Sequence, residues 1–437
     1  MTRRRPFGTV VLAALTVLVL ATGACTVVDE PGSAGPDRPT TPPPAAIAGA
    51  DLDLVELSCA SIPEVDVPLH DPHRRALDDA LSSPAFDGLD VSVSIWIDGH
   101  GEVAATDPDS RLLPASNQKL FTAMGALALL DPAHRFRTEV THRDGVLTLV
   151  AGGDPTLARS GPHSLAALAD QVAAAGVGRV EVVAVDADHF ESARRAEGWQ
   201  DWHIPDWVGP MSALIVEDNR YRTDAAFLAD PALANLEAFA AALTSAGVDV
   251  AGAPLVTTTD ETGDVVAVLE SAPIAELVPD LLTRSDNETA EAVLREIGAG
   301  STAEGVATVD DALAELCEGL QGVSGDGSGL SRADLRSARE WRSMLQAARD
   351  EPWGPALRAG LPVAGRTGTL ARRLGGSTTA GNVMAKTGSI IGGQALSGYA
   401  VTSGGHDMVF SIVVNGDPSA ARSARVAIDA LVVAAVG

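Results

Sequence analysis

The sequence predicts an α+β fold: one antiparallel sheet covered by helices and interrupted by an inserted α/β lobe. Three observations carry this expectation. Strand hairpins and helices occur near both ends of the globular part. Between them lies a helix that is apolar on nearly every side, which suits an interior position. From about Arg137 to Glu270 the texture changes to short strands alternating with Ala-rich helices.

The elements follow in chain order. Asp71 to Ser83 reads as an amphipathic helix. From Val91, alternating apolar residues on either side of Asp98-Gly99-His100-Gly101 give a hairpin. The apolar helix runs from Ser116 to Leu130, just after Pro114. In the lobe, three strand patterns (VLTLVAGG, GRVEVVAVD and DVVAVLE) surround helices such as Pro231 to Ala246, where Pro suits a first helical position. A second hairpin turns at Ser403-Gly404-Gly405-His406, and a last helix covers roughly Ala420 to Val436. The body is expected over 61–136 and 271–437, with the lobe at 137–270.

The amino end reads as an address. Arg3, Arg4 and Arg5 precede an uncharged apolar run from Phe7 to Ala24, so residues 1–24 are expected to be an export signal. Ala21-Thr22-Gly23-Ala24-Cys25 resembles a bacterial lipobox, with Thr22 where Leu is usual; lipidation of Cys25 would tie the protein to the outer face of the cytoplasmic membrane. Simple cleavage or an uncleaved anchor is the alternative. Residues 25–60 include a Pro-, Gly- and Ala-rich tether. Once exported, Cys59 and Cys317 could pair, or remain as two buried thiols.

Composition narrows the function. The 437 residues carry 31 Lys+Arg against 58 Asp+Glu, a net charge of −27, which argues against sequence-independent nucleic-acid binding. The nine His form no convincing ligand cluster and the three Cys no C-x-x-C, so neither a metal nor a cofactor is expected. Only two residues are Lys: Lys119 and Lys386.

Both lysines sit in chemically suggestive places. Lys119 follows Ser116 by three residues, and on a helix that spacing puts a hydroxyl and an amine on one face. Serine needs a neighbouring base to become a nucleophile, and a desolvated Lys can supply one where Arg cannot. Lys386 opens Lys386-Thr387-Gly388-Ser389, where an ammonium and two hydroxyls could hold a carboxylate beside a strand edge. Ser285-Asp286-Asn287, taken alone, reads as a helix cap. In order these give Ser-x-x-Lys, Ser-x-Asn and Lys-Thr-Gly, the trio of penicillin-recognising serine enzymes.

With that trio the sequence resembles the class C low-molecular-mass penicillin-binding proteins, the type-4 D-Ala-D-Ala carboxypeptidase/endopeptidases. Further stretches carry the likeness: Gly152-Gly153-Asp154-Pro155-Thr156-Leu157, Asp326-Gly327-Ser328-Gly329-Leu330-Ser331-Arg332, Leu361-Pro362-Val363-Ala364-Gly365 with Gly368-Thr369-Leu370, and Ala395-Leu396-Ser397-Gly398-Tyr399. The resemblance implies the penicillin-binding-protein/serine β-lactamase-like transpeptidase fold. It also implies peptidoglycan stem peptides as substrates and β-lactams as covalent inhibitors. Ser116 would form the acyl-enzyme, with Lys119 as base. Ser285 would relay a proton, Asn287 would position Lys119 and substrate, and Lys386 would attract the carboxylate. The oxyanion would sit between the backbone N–H groups of Ser116 and Ser389. Arg332 would recognise diaminopimelate, or be a surface Arg. Asp206 and Trp207, in a Trp-rich stretch of the lobe, would line the groove, or the Trp residues would be lobe core. Two departures are Ser389 for the usual Thr and Ile390 for the usual Met. Larger relatives carry two inserted lobes; the stretch between Ser116 and Ser285 has room for one, with the other absent or trimmed. The rival readings are a β-lactamase or esterase on the same scaffold, and a non-catalytic muropeptide receptor.

Overall fold

The computed structural model describes residues 67–220, 226–256 and 263–437. The export signal, Cys25, the tether and Cys59 lie outside the described residues. Cys317 is buried and disulfide-bonded. Among the described residues no helix is long and apolar enough to cross a membrane.

The central sheet has five antiparallel strands in the order Met384–Ile390, Gly393–Val401, Asp407–Asn415, Asp90–Ile97 and Gly101–Thr106. The middle strand shows why it can be central. Its residues from Met408 to Val414 are all buried, and its side chains alternate between two cores. Met408, Phe410, Ile412 and Val414 face the core covered by helices Asp71–Leu81 and Pro418–Val436. Val409 and Val413 face the core shared with helices Gln118–Leu129, Ile274–Arg284 and Ala338–Asp350. Asp417 caps the last helix, its Oδ1 accepting from the Ser419 and Ala420 N–H groups ahead of a Pro418 that has no N–H to satisfy.

The apolar helix Gln118–Leu129 is buried over Gln118 to Leu127, which places it inside the body as its sequence pattern requires. Its start is tighter than expected. Ser116 lies in a 3₁₀ turn, Ala115–Asn117, that feeds the α-helix at Gln118.

Residues 137–270 build a second, mixed sheet in the order Asp264–Glu270, Arg137–Arg143, Val146–Val150, Val182–Asp186 and Leu255–Val256. Arg137 and Glu270 are register partners, so the two ends of this stretch lie side by side. Helices Leu165–Ala174 and Pro231–Ser245 supply most of the helical part of the core packed on this sheet, around Leu168, Leu236 and Phe239, which Ala292 and Leu330 also join.

Phe410 is fully buried in the middle strand. Phe410→Ala should therefore destabilise the protein by about 3–5 kcal/mol through lost burial and a residual cavity, read as a lower urea midpoint at unchanged slope.

Candidate active site

Three segments far apart in sequence meet at the 3₁₀ turn. Ala115, just before Ser116, has φ +49°, in the left-handed region that costs a non-Gly residue energy and persists only where packing enforces it. The packing comes from two glycines. A Cβ on Gly388 would lie 2.5 Å from the Pro114 carbonyl oxygen, and one on Gly329 would lie 1.9 Å from that of Ala115. Gly388 therefore lets the strand Met384–Ile390 run against the turn, and Gly329 lets a second loop close on the Ser116 peptide. Asn117 completes the seat by donating from Nδ2 to Ser397 Oγ, 2.6 Å away on the next strand.

Lys119 is fully buried. Its Nζ lies 2.6 Å from Asn287 Oδ1, 2.6 Å from the Ser328 carbonyl oxygen and 3.3 Å from Ser116 Oγ. The first two contacts are pure acceptors. Asn287 is oriented by its own Nδ2, which donates to the Trp207 carbonyl at 2.8 Å. A neutral amine has two N–H bonds and one lone pair. In a neutral Lys119, Asn287 and Ser328 would take both N–H bonds and leave the lone pair for the Ser116 hydroxyl. Burial pushes the Lys119 ammonium down to about 8, against the pull of Asp326, Asp286, Glu291 and Asp334, which favour the charged form.

Lys386 is also fully buried, on the strand Met384–Ile390. Its Nζ donates to Ser285 Oγ at 2.8 Å and to the Thr387 carbonyl at 3.0 Å. Burial, followed by the charge of Lys119, lowers its pKa well below the ordinary lysine value. The two amines are thus electrostatic neighbours, and a charge on Lys119 makes protonation of Lys386 harder.

The Ser-Asp-Asn triplet divides its work. Ser285 ends the helix Ile274–Arg284 in the left-handed conformation, φ 60°, ψ 43°, and presents its hydroxyl to Lys386. Asp286 caps the next helix, its carboxylate accepting from the Thr289 N–H at 2.7 Å. Asn287 opens that helix and reaches Lys119. The cap reading of this triplet thus fits Asp286, while the residues on either side point to the two lysines.

On the strand side, Thr387 Oγ1 donates to Thr369 Oγ1 at 2.7 Å, and the exposed Ser389 Oγ accepts from Gln394 Nε2 at 2.8 Å. Arg332 is half-buried and donates to the Ile391 carbonyl at 2.8 Å, just beyond the same strand. Burial and the charge of Arg332 hold the His203 imidazole down at about 4, and the Arg332 backbone N–H donates to the Gly198 carbonyl at 3.3 Å, just before the Trp-rich stretch. Ile390 is buried. The Trp residues divide: Trp199 joins the lobe core and donates from Nε1 to Asp326 Oδ2, whereas Trp207 is 39% exposed. Asp206 is exposed, and its carbonyl accepts from Arg220.

Two groups close to the base were missed at the level of sequence. Glu291 stands one helical turn beyond Asn287, and its Oε1 accepts from the Gly327 and Ser328 N–H groups. Burial and neighbouring Asp326 raise its carboxyl to about 8. The spacing from Asn287 was the available signal, since i and i+4 share a helix face. The Asp326-Gly-Ser-Gly segment, which stands out in the sequence only as a family likeness, delivers Ser328 to Lys119.

Comparison with known proteins gives the family and the fold. The profile of the D-Ala-D-Ala carboxypeptidase 3 (S13) family matches residues 73–227 and 225–435. The D-alanyl-D-alanine carboxypeptidase of an Actinomadura species is 31% identical over 468 residues, covering 85% of this chain and 85% of its own. Carboxypeptidase DacB of Mycolicibacterium smegmatis is 31% identical over 466 residues, covering 97% and 95%. Penicillin binding protein 4 of Haemophilus influenzae superimposes with a TM-score of 0.70 at 21% identity, over 80% of this chain and 98% of that one, and so shares the fold. The chain belongs to the D-Ala-D-Ala carboxypeptidase 3 (S13) family.

Proposed function

We propose that this protein is a serine D-Ala-D-Ala carboxypeptidase that acts on peptidoglycan stem peptides through an acyl-enzyme on Ser116. The observation that carries the reading is the buried Lys119 amine, with both N–H bonds occupied and Ser116 Oγ 3.3 Å away. Lys119 takes the Ser116 proton as Oγ bonds to the carbonyl carbon of the penultimate D-Ala. The C–N bond then breaks as the proton taken by Lys119 is relayed through Ser285, hydrogen-bonded to Lys386, to the leaving amine of the terminal D-Ala; Ser285 takes one proton as it gives another, and Lys119 is neutral again for the attack of water. Water then cleaves the ester. The Ser116 and Ser389 N–H groups receive the oxyanion. Lys386, Thr387 and Ser389 hold the terminal carboxylate, with Gly388 allowing close approach. Arg332 takes an acidic stem side chain, and Asp206 and Trp207 border the peptide groove. A β-lactam would occupy the same seat and acylate Ser116.

The same site would serve an endopeptidase cutting D-Ala–diaminopimelate cross-links if the groove beyond Arg332 accepts a second stem. Work on cell wall requires export, and the amino-terminal pattern ending at Cys25 supports a lipid-anchored extracytoplasmic protein. We also read 61–136 with 271–437 as the catalytic domain and 137–270 as the single inserted lobe, a division supported by the pairing of Arg137 with Glu270 where the chain departs and returns.

Labelled penicillin should add one penicilloyl mass to the mature protein and none to Ser116→Ala. Absence of an adduct on the folded protein would support the receptor reading, and rapid penicillin turnover the β-lactamase reading. Release of D-Ala from a stem-peptide mimic tests the carboxypeptidase step itself.

Because the base must be neutral, acylation should rise with pH through about 8, the value to which burial lowers Lys119. Protonated Lys119 below that pH has no lone pair to offer. Lys119→Arg should abolish acylation, since guanidinium does not deprotonate in this range, while Lys386→Arg should leave a measurable remainder. Gly329→Ala should slow acylation by about 100-fold, because its Cβ would meet the Ala115 carbonyl and displace the nucleophile's turn.

A further inference from the structure

The loop that brings Ser328 to Lys119 is folded around one carboxylate. Asp326 is fully buried. Its Oδ1 accepts from the N–H groups of Ser328 at 3.1 Å and Gly329 at 2.7 Å, and its Oδ2 from those of Leu330 at 3.0 Å and Ser331 at 2.8 Å. Oδ2 also accepts from Ser328 Oγ at 3.2 Å and from Trp199 Nε1 of the lobe at 2.7 Å. Four consecutive backbone donors on one carboxylate fix the path of residues 328–331. The loop is tied as well to the helix that bears the base: Gln118 Nε2 donates to the Asp326 carbonyl at 3.2 Å and Thr122 Oγ1 to that of Gly327 at 2.8 Å.

We propose that Asp326 is a positioning residue for the Lys119 base: by wrapping residues 328–331 around its carboxylate it holds the Ser328 carbonyl on Lys119 and Gly329 against the Ser116 peptide. The inference rests on Lys119 acting as the base of the reaction. An amide would not substitute for the carboxylate here. Asn offers one acceptor oxygen and an NH₂ group, and the latter would face two of the backbone donors.

Asp326 also acts through its field. The titratable groups around Lys119 are Asp326 and Asp334 from this loop, Asp286 and Glu291 at and on the helix Asn287–Ile297, and Lys386 from the strand. Burial raises Glu291 to about 8 and Asp334 well above the usual carboxylate range. Asp326 exerts the largest pull toward the charged amine. Removing it should make Lys119 easier to deprotonate even as the amine loses its seat. Removing the Trp199 donor should do the reverse, by leaving the Asp326 charge less neutralised.

The test is the rate of acylation by a fluorescent penicillin from pH 6 to 10, for the wild-type protein, Asp326→Asn and Trp199→Phe, with circular dichroism as a fold check. Asp326→Asn should lower the plateau at least about tenfold and move the acid limb down by about one pH unit. Trp199→Phe should move the limb up by a few tenths of a unit. A folded Asp326→Asn with an unmoved limb, whatever its plateau, would mark the residue as merely structural and overturn the proposal. If Asp326→Asn does not fold, an unmoved limb in Trp199→Phe overturns it. Failure of the wild-type protein to acylate at all would instead contradict the functional reading on which the proposal stands.

Discussion

A single buried amine organises this molecule's site. Lys119 can be neutral at working pH only if it is kept from water, and it can point its lone pair at Ser116 only if its N–H bonds are satisfied elsewhere. Both conditions reach far into the fold. The first requires the interior helix Gln118–Leu129. The second requires an acceptor from each of two other segments: Asn287 from a helix cap, and Ser328 from the loop wrapped on Asp326. Those segments bring their own demands, a left-handed Ser285 and two glycines pressed on the nucleophile's turn.

The stretch proposed as the inserted lobe takes part in this arrangement. Its Trp207 carbonyl orients Asn287, and its Trp199 indole donates to Asp326. Each of the two groups holding Lys119 is therefore braced from the lobe. The neighbourhood is rich in buried carboxyls, among them Glu288 and Glu291, both raised to about 8 chiefly by burial.

Much of this was legible from residue order. Alternation in the two hairpins and the all-round apolar helix marked the central sheet and its buried helix, because burial dictates those periods directly. The scarcity of lysine drew attention to Lys119 and Lys386, and the three-residue spacing brought Ser116 to Lys119. What was not legible depends on tertiary contact. The 3₁₀ turn at Ala115–Asn117 exists because Gly329 and Gly388 press on it from elsewhere in the chain. The role of Glu291 appears only once the loop at Gly327 lies on its helix. The split among the Trp residues follows from the path of the 199–207 stretch, which local pattern does not determine.

The central claim is that burial gives Lys119 a free lone pair near neutral pH. Because the chain has only two lysines, uniform labelling of lysine with ¹³C and ¹⁵N yields two side-chain signals, assignable with Lys386→Arg. Following them by NMR from pH 6 to 11 measures the amine directly. The account predicts that Lys119 titrates near 8. A Lys119 signal that titrates above 10, as a solvated lysine does, would contradict it.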